Sequence, residues 1–214
     1  MQALVLPFLG VSVVAALAYG LVLQFRPSGV FRTAVKTAAV GALAVWSWMA
    51  GSPPLLTAAL ALSAVGDAFL AGDPKRWLPF GLTSFLLAHI LYVVFFVEIG
   101  GLAVLTAQPV RLLGGGAALL LGAGLVSWLW RDLGPLRPAV VAYALAIAAM
   151  VGTSFSLDAG RWPAMAGALA FMASDGVLSW RLFRHGERPA VVADHAVWWL
   201  YWGGQVGIAG AFLL

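Results

Sequence analysis

The chain has 214 residues, of which 63% are hydrophobic and only 9% charged, with a mean hydropathy of +0.98. A soluble domain carries about 25% charged residues, so the composition excludes a soluble fold and implies an integral membrane protein. The net charge of +4 comes from scattered basic residues, and there is no cysteine; a nucleic-acid face, disulfides and thiolate metal sites are thereby set aside.

A hydrocarbon core about 30 Å thick takes about 20 apolar residues per helix. Eight such segments account for the chain, at 3–24, 33–50, 55–71, 78–97, 110–130, 138–155, 162–182 and 195–213. The predicted fold is all-α: one polytopic transmembrane bundle over residues 1–214. The first segment lacks a basic stretch before it and is read as a retained span. Glycine and proline punctuate the gaps, at Arg26-Pro27-Ser28-Gly29, Gly51-Ser52-Pro53-Pro54, Asp73-Pro74, Gln108-Pro109, Gly134-Pro135, Arg137-Pro138, Trp162-Pro163 and Arg188-Pro189.

Basic residues orient the spans. Alternate gaps and their flanks hold Arg26, Arg32, Lys36, Lys75, Arg76, Arg131, Arg137, Arg181, Arg184 and Arg188, while the intervening gaps hold only Arg111 and Arg161. Ten against two places the basic loops in the cytoplasm and both termini outside. Trp77, Trp128, Trp130, Trp162 and Trp180 fall near span ends, as interfacial anchors do.

Orientation gives depth. Asp67 in the third span and Asp175 in the seventh lie at matching levels near the cytoplasmic side. Lys36 opens the second span, Tyr143 is shallow in the sixth, and His89, Tyr92 and Gln205 lie nearer the middle. The polar groups thus gather in the cytoplasmic half. Gly66-Asp67 and Ser174-Asp175 sit four spans apart on helices of the same direction, which fits two parallel four-helix halves or coincidence in an Ala/Leu/Gly-rich chain.

Each polar residue carries two readings. An aspartate inside an apolar span costs about 2.5–3.5 kcal/mol and marks function by default; two sharing a site would supply one acid and one base. The plainer reading pairs each with Lys36, Arg181 or a serine. His89 and Tyr92 share a helix face with Phe85 and Phe96, either as proton donor and substrate partner or as a bond across the bundle. His185 and His195 are read as belonging to the last cytoplasmic loop or its edge, so no second histidine lies in an apolar span and a histidine metal site has little support. Lys36 either grips a lipid phosphate or snorkels to the interface. Tyr143 and Gln205 suit inter-helix hydrogen bonds, and Gly203 with Gly207 is spaced for close packing. The cluster Arg181, Arg184 and Arg188 reads as topology, with anionic lipid as a further partner.

With these residues in hand, the chain resembles the lysoplasmalogenase-like (YhhN-like) membrane proteins. The matching pieces are Thr33-Ala34-Val35-Lys36; Ser63-Ala64-Val65-Gly66-Asp67; Gly81, Phe85 and Ala88-His89-Ile90-Leu91-Tyr92; Tyr143 with Ile147 and Met150; Gly167-Ala168 running to Phe171-Met172-Ala173-Ser174-Asp175; and Tyr201 with Gln205. In Tyr201-Trp202-Gly203-Gly204-Gln205 the family more often has a second tyrosine and an alanine before the glutamine. The resemblance implies hydrolysis of the vinyl ether bond of a lysoplasmalogen to a fatty aldehyde and a glycerophospho-ethanolamine or -choline. It implies Asp67 and Asp175 as catalytic residues, and Lys36, His89, Tyr92, Tyr143, Ser174 and Gln205 as substrate-binding ones. The chemistry demands no cofactor and no metal. The expected partners are a lysophospholipid substrate and membrane lipids, in a bacterial plasma membrane with the site opening toward the cytoplasmic leaflet. A lipid or small-molecule transporter or binding protein would use the same buried carboxylates. An intramembrane aspartyl protease ranks last, because Ala64-Val65-Gly66-Asp67 lacks that family's first glycine, Ser174 stands where it has tyrosine, and no Pro-Ala-Leu motif occurs.

Overall fold

The computed structural model describes residues 2–186 and 189–214; Arg188, counted above among the basic loop residues, lies outside them. Among the described residues the fold is helical, with no strand. The helices are α1 (Gln2–Leu21), α2 (Val30–Met49), α3 (Pro54–Leu70), α4 (Pro74–Gly100), α5 (Leu102–Ala107), α6 (Pro109–Leu129), α7 (Arg137–Ser154), α8 (Trp162–Trp180) and α9 (Val191–Leu213). Pro7–Phe25, Arg76–Gly100, Pro109–Leu129 and Gly134–Ser154 are long and apolar enough to cross a membrane, and Pro54–Leu70 is apolar but shorter. These stretches make the chain a membrane protein.

Proline starts several of these helices. Pro54, Pro109, Pro138 and Pro163 sit at the first or second position of α3, α6, α7 and α8. There the missing N–H is one the helix would leave unbonded anyway. Several boundaries differ from the sequence reading: α2 and α4 begin at Val30 and Pro74 rather than 33 and 78, and α4 runs on to Gly100. The gap expected after residue 97 holds α5, set off by Gly101 at φ +75°, a left-handed turn that glycine makes without strain. The last helix begins at Val191 rather than 195, so His195 lies inside α9 and not at the edge of the last loop. Asp194 explains the earlier start: it occupies the first turn, where the helix dipole favours a carboxylate, and Arg181 Nε binds its Oδ1 at 2.8 Å.

The contacts divide the chain into two compact units, residues up to Tyr92 with Phe212–Leu214, and Val93–Ala211. In lipid no hydrophobic force drives helices together, so small residues and inter-helix hydrogen bonds decide the packing. In the first unit Ser12 Oγ of α1 donates to Ala39 O of α2 at 2.5 Å, and Ser84 Oγ of α4 donates to Leu62 O of α3 at 2.7 Å. The Ser47 and Thr57 hydroxyls meet at 2.7 Å between α2 and α3. Phe85 of α4 packs against Gly66 of α3, where a Cβ would stand 2.6 Å from the ring. Glycine beside Asp67 is thus what lets α4 approach the carboxylate's own helix.

In the second unit α8 packs closely on α9. A Cβ on Gly167 would stand 2.5 Å from Gly204 O, and one on Gly207 2.9 Å from Pro163 O. The sequence reading paired Gly203 with Gly207; Gly203 has nothing within 4 Å of its Cβ position, and Gly204 takes the role. One residue turns a helix by about 100°, so spacing alone does not choose the face that meets a neighbour.

Candidate active site

In the first unit the site is built from α1, α2 and α3. Asp67 follows Gly66 on the buried face of α3. Lys36 lies two turns into α2, and its Nζ stands 3.1 Å from Asp67 Oδ1, the two side chains being 12% and 2% exposed. The ammonium is therefore turned inward rather than snorkelling outward, and it makes the pairing with an aspartate that the plainer reading named. The reason is the carboxylate: in an apolar interior each charge is costly alone and tolerable as a pair. Tyr19 of α1 closes the arrangement. Its ring centroid lies 5.8 Å from Lys36 Nζ and 5.7 Å from the Arg32 guanidinium, the range of cation–π attraction.

Arg32 in turn ties helix ends together. It donates to Leu23 O at 3.1 Å, to Ala71 O at 3.1 Å and to the Tyr19 hydroxyl at 3.3 Å. The first two acceptors are carbonyls just past the ends of α1 and α3; Leu23 O also accepts the Arg26 N–H at 3.0 Å, and Ala71 O belongs to the last turn, whose carbonyls a helix leaves without a donor of its own. Sequence reasoning passed over Tyr19 and counted Arg32 only as a residue that orients the spans. The signal available was that Tyr19 is one of only four tyrosines and stands in an apolar span, where a phenol usually finds a partner.

His89 and Tyr92 lie on α4 and are fully buried. With Phe85, Ala88, Phe95 and Phe96 they form the buried face of that helix, while Leu87, Ile90 and Val94 are exposed. That is the face the sequence spacing predicts.

In the second unit Tyr143 of α7 donates its hydroxyl to Asp175 Oδ2 of α8 at 2.5 Å. Arg181, considered above as a partner for Asp175, instead pairs with Asp194. Tyr143 and Asp175 line a cavity of about 370 Å³ between α6, α7 and α8. Apart from these two and Ser179 the lining is leucine, valine, isoleucine, methionine, alanine and glycine. Ser174 and Gln205 belong to the same unit but do not line the cavity. The Ser174 hydroxyl donates to Val197 O at 2.8 Å, fastening α8 to α9, and Gln205 is fully buried on α9.

A carboxyl with one oxygen fixed by a phenol, set in an otherwise apolar cavity, can exchange a proton with an apolar guest while bulk water is scarce. The buried lysine–aspartate pair supplies a fixed carboxylate. Basic side chains flank these helices over tryptophan rings: Arg184 over Trp128 at 4.4 Å, Arg137 over Trp130 at 5.1 Å and Arg76 over Trp77 at 4.8 Å. Such pairs suit the edge of a bilayer, where one end of the ring is apolar and the other wet.

A family model described as the YhhN family matches residues 31–212. Proteins named lysoplasmalogenase from Mycobacterium bovis and Mycobacterium tuberculosis are each 34% identical over 165 residues, covering 73% of this chain and 59% of theirs. A human protein named lysoplasmalogenase TMEM86B is 35% identical over 184 residues, covering 82% of this chain and 73% of its own. The alignments thus leave about two fifths of the mycobacterial proteins unmatched. No solved structure matches the chain.

Proposed function

The chain belongs to the YhhN family, and from that premise we propose that it is a lysoplasmalogenase-type ether hydrolase acting on single-chain vinyl ether phospholipids. The observation that carries this reading is the Tyr143–Asp175 hydrogen bond at 2.5 Å inside an apolar cavity. Relatives named lysoplasmalogenase support it.

A vinyl ether is cleaved by adding a proton to its β-carbon, which leaves an oxocarbenium ion at the carbon bonded to oxygen. Asp175 is the proposed donor, and its conjugate carboxylate then faces the cation. Water adds to the cationic carbon and returns a proton to the carboxylate. The hemiacetal so formed collapses to a fatty aldehyde as the glycerol oxygen leaves with a proton. Atoms balance with water as the one co-substrate. Tyr143 orients the carboxyl by holding Oδ2. Asp67, ion-paired with Lys36, is proposed as the second catalytic carboxyl, with His89, Tyr92, Ser174 and Gln205 as further substrate-binding residues.

The membrane arrangement in this proposal is one transmembrane domain of eight spans in a plasma membrane, both termini outside and the site opening to the cytoplasmic leaflet. The test is aldehyde release from vinyl ether lysophosphatidyl-ethanolamine and -choline by the purified full chain, read through an aldehyde-reducing enzyme and NADH. Release by the unaltered protein, and its loss in folded Asp175→Asn and Asp67→Asn, is expected. Tight lipid binding with no aldehyde would replace hydrolysis with a carrier or binding role.

A further inference from the structure

The α6–α7–α8 cavity has a direction. Leu125 Cδ2 lies 3.8 Å from the Cβ position of Gly176, so Asp175 and Tyr143 are level with that part of α6. Gly122 lies about one turn further along, its Cβ position 3.8 Å from Met172 Cε and 3.6 Å from Ala144 O. Beyond Asp175 on the other side, Leu129, Leu133 and Val140 pack as a buried cluster and close that end. On the Gly122 side the lining continues to Leu121 and Leu169, which are 67% and 43% exposed. Leu169 is six residues from Asp175, about 9 Å along α8. The cavity is therefore a slot with a carboxyl near its closed end and an apolar arm that opens on the outer surface of the helices.

Resting on the hydrolase reading above, we propose that this arm is the subsite for the substrate's hydrocarbon chain, with Gly122 as the residue that leaves room for it. The occupant follows from the lining. Nothing along the arm beyond Asp175 bonds a polar group, so a head group would lose its hydration without replacement. A flexible alkenyl chain loses nothing there. It would run from the vinyl ether at Asp175, past Gly122, and out between Leu121 and Leu169, so its far end meets the surrounding lipid. Gly122 has only ordinary van der Waals neighbours at its Cβ position, so a larger side chain would project into the arm rather than collide with backbone.

The experiment substitutes Gly122→Leu in the full chain, with Gly124→Leu as control. Gly124 is exposed on the same helix, has nothing within 4 Å of its Cβ position and does not line the cavity. For a long-chain vinyl ether lysophospholipid, Gly122→Leu should lower kcat/KM by about tenfold or more, the scale of added methylenes in a fitted apolar pocket, mainly through KM. Gly124→Leu should match the unaltered protein. On the unaltered protein, non-cleavable alkyl-ether lysophospholipids with straight chains should compete better than those carrying a bulky ring a few carbons from the ether. This arm does not depend on the variant folding. Equal kinetics for folded Gly122→Leu, equal competition by straight and ring-bearing chains, or loss of a co-purified bilayer lipid with unchanged kinetics would each overturn the assignment. If the unaltered protein cleaves no vinyl ether, the hydrolase reading fails by itself. Equilibrium binding of a radiolabelled alkyl-ether lysophospholipid, weaker to Gly122→Leu, would still establish the chain subsite, and equal binding would remove it.

Discussion

Lys36→Met removes the ammonium and keeps most of the side chain's length. Asp67 then remains in a site where it is 2% exposed, without the partner 3.1 Å from its Oδ1. Tyr19 carries a hydroxyl but no positive charge, so it does not replace the ammonium as a counter-ion. Removing one member of a buried ion pair costs about 3–5 kcal/mol, against total stabilities of about 5–15 kcal/mol. For a chain of this length the loss should lower Tm by on the order of 10 °C. Thermal unfolding in detergent, followed by circular dichroism and by recovery of monodisperse protein, measures it. Lys36→Met with Asp67→Asn should recover most of the loss, because no uncompensated charge is left. A single variant within about 0.5 kcal/mol of the unaltered protein, with no coupling to Asp67→Asn, would refute the reasoning. If the ammonium instead serves the substrate's phosphate, Lys36→Met should raise KM at an unchanged Tm.

Tyr143→Phe deletes the 2.5 Å hydrogen bond to Asp175; aldehyde release should fall about tenfold for each 1.4 kcal/mol of lost orientation at the transition state, with a small change in Tm, and normal turnover would remove Tyr143 from the chemistry. Gly167→Val drives a side chain into Gly204 O, 2.5 Å from the Cβ position, and should cost about 1–3 kcal/mol. Gly203→Ala, with open space around it, should be neutral, and equal melting of the two variants would contradict the α8–α9 packing. Reporter fusions after Gly51 and after Arg76 should report opposite sides of the membrane, and a cytoplasmic signal at Gly51 would reverse the proposed topology.

The sequence by itself determined the long helices and many of their ends, α5 excepted, because those depend on local chemistry. Proline cannot donate inside a helix and glycine tolerates positive φ, so Pro54, Pro109 and Pro163 mark starts wherever the chain packs. The buried face of α4 was legible for a similar reason: residues three and four apart share a side, and Phe85, His89, Tyr92 and Phe96 are spaced that way. The aspartates stood out because a carboxyl in an apolar run is costly without a partner. Tertiary structure alone decided what the partner was. Asp67 takes Lys36 from 31 residues away and Asp175 takes Tyr143 from 32, and no local rule prefers these to Arg181 or a serine. The turn between Gly203 and Gly204, the closing of α1 over Lys36 by Tyr19, and the early start of α9 at its Arg181–Asp194 pair are of the same kind. Each depends on which faces of separate helices meet, and a rotation of one residue is enough to exchange one neighbour for another.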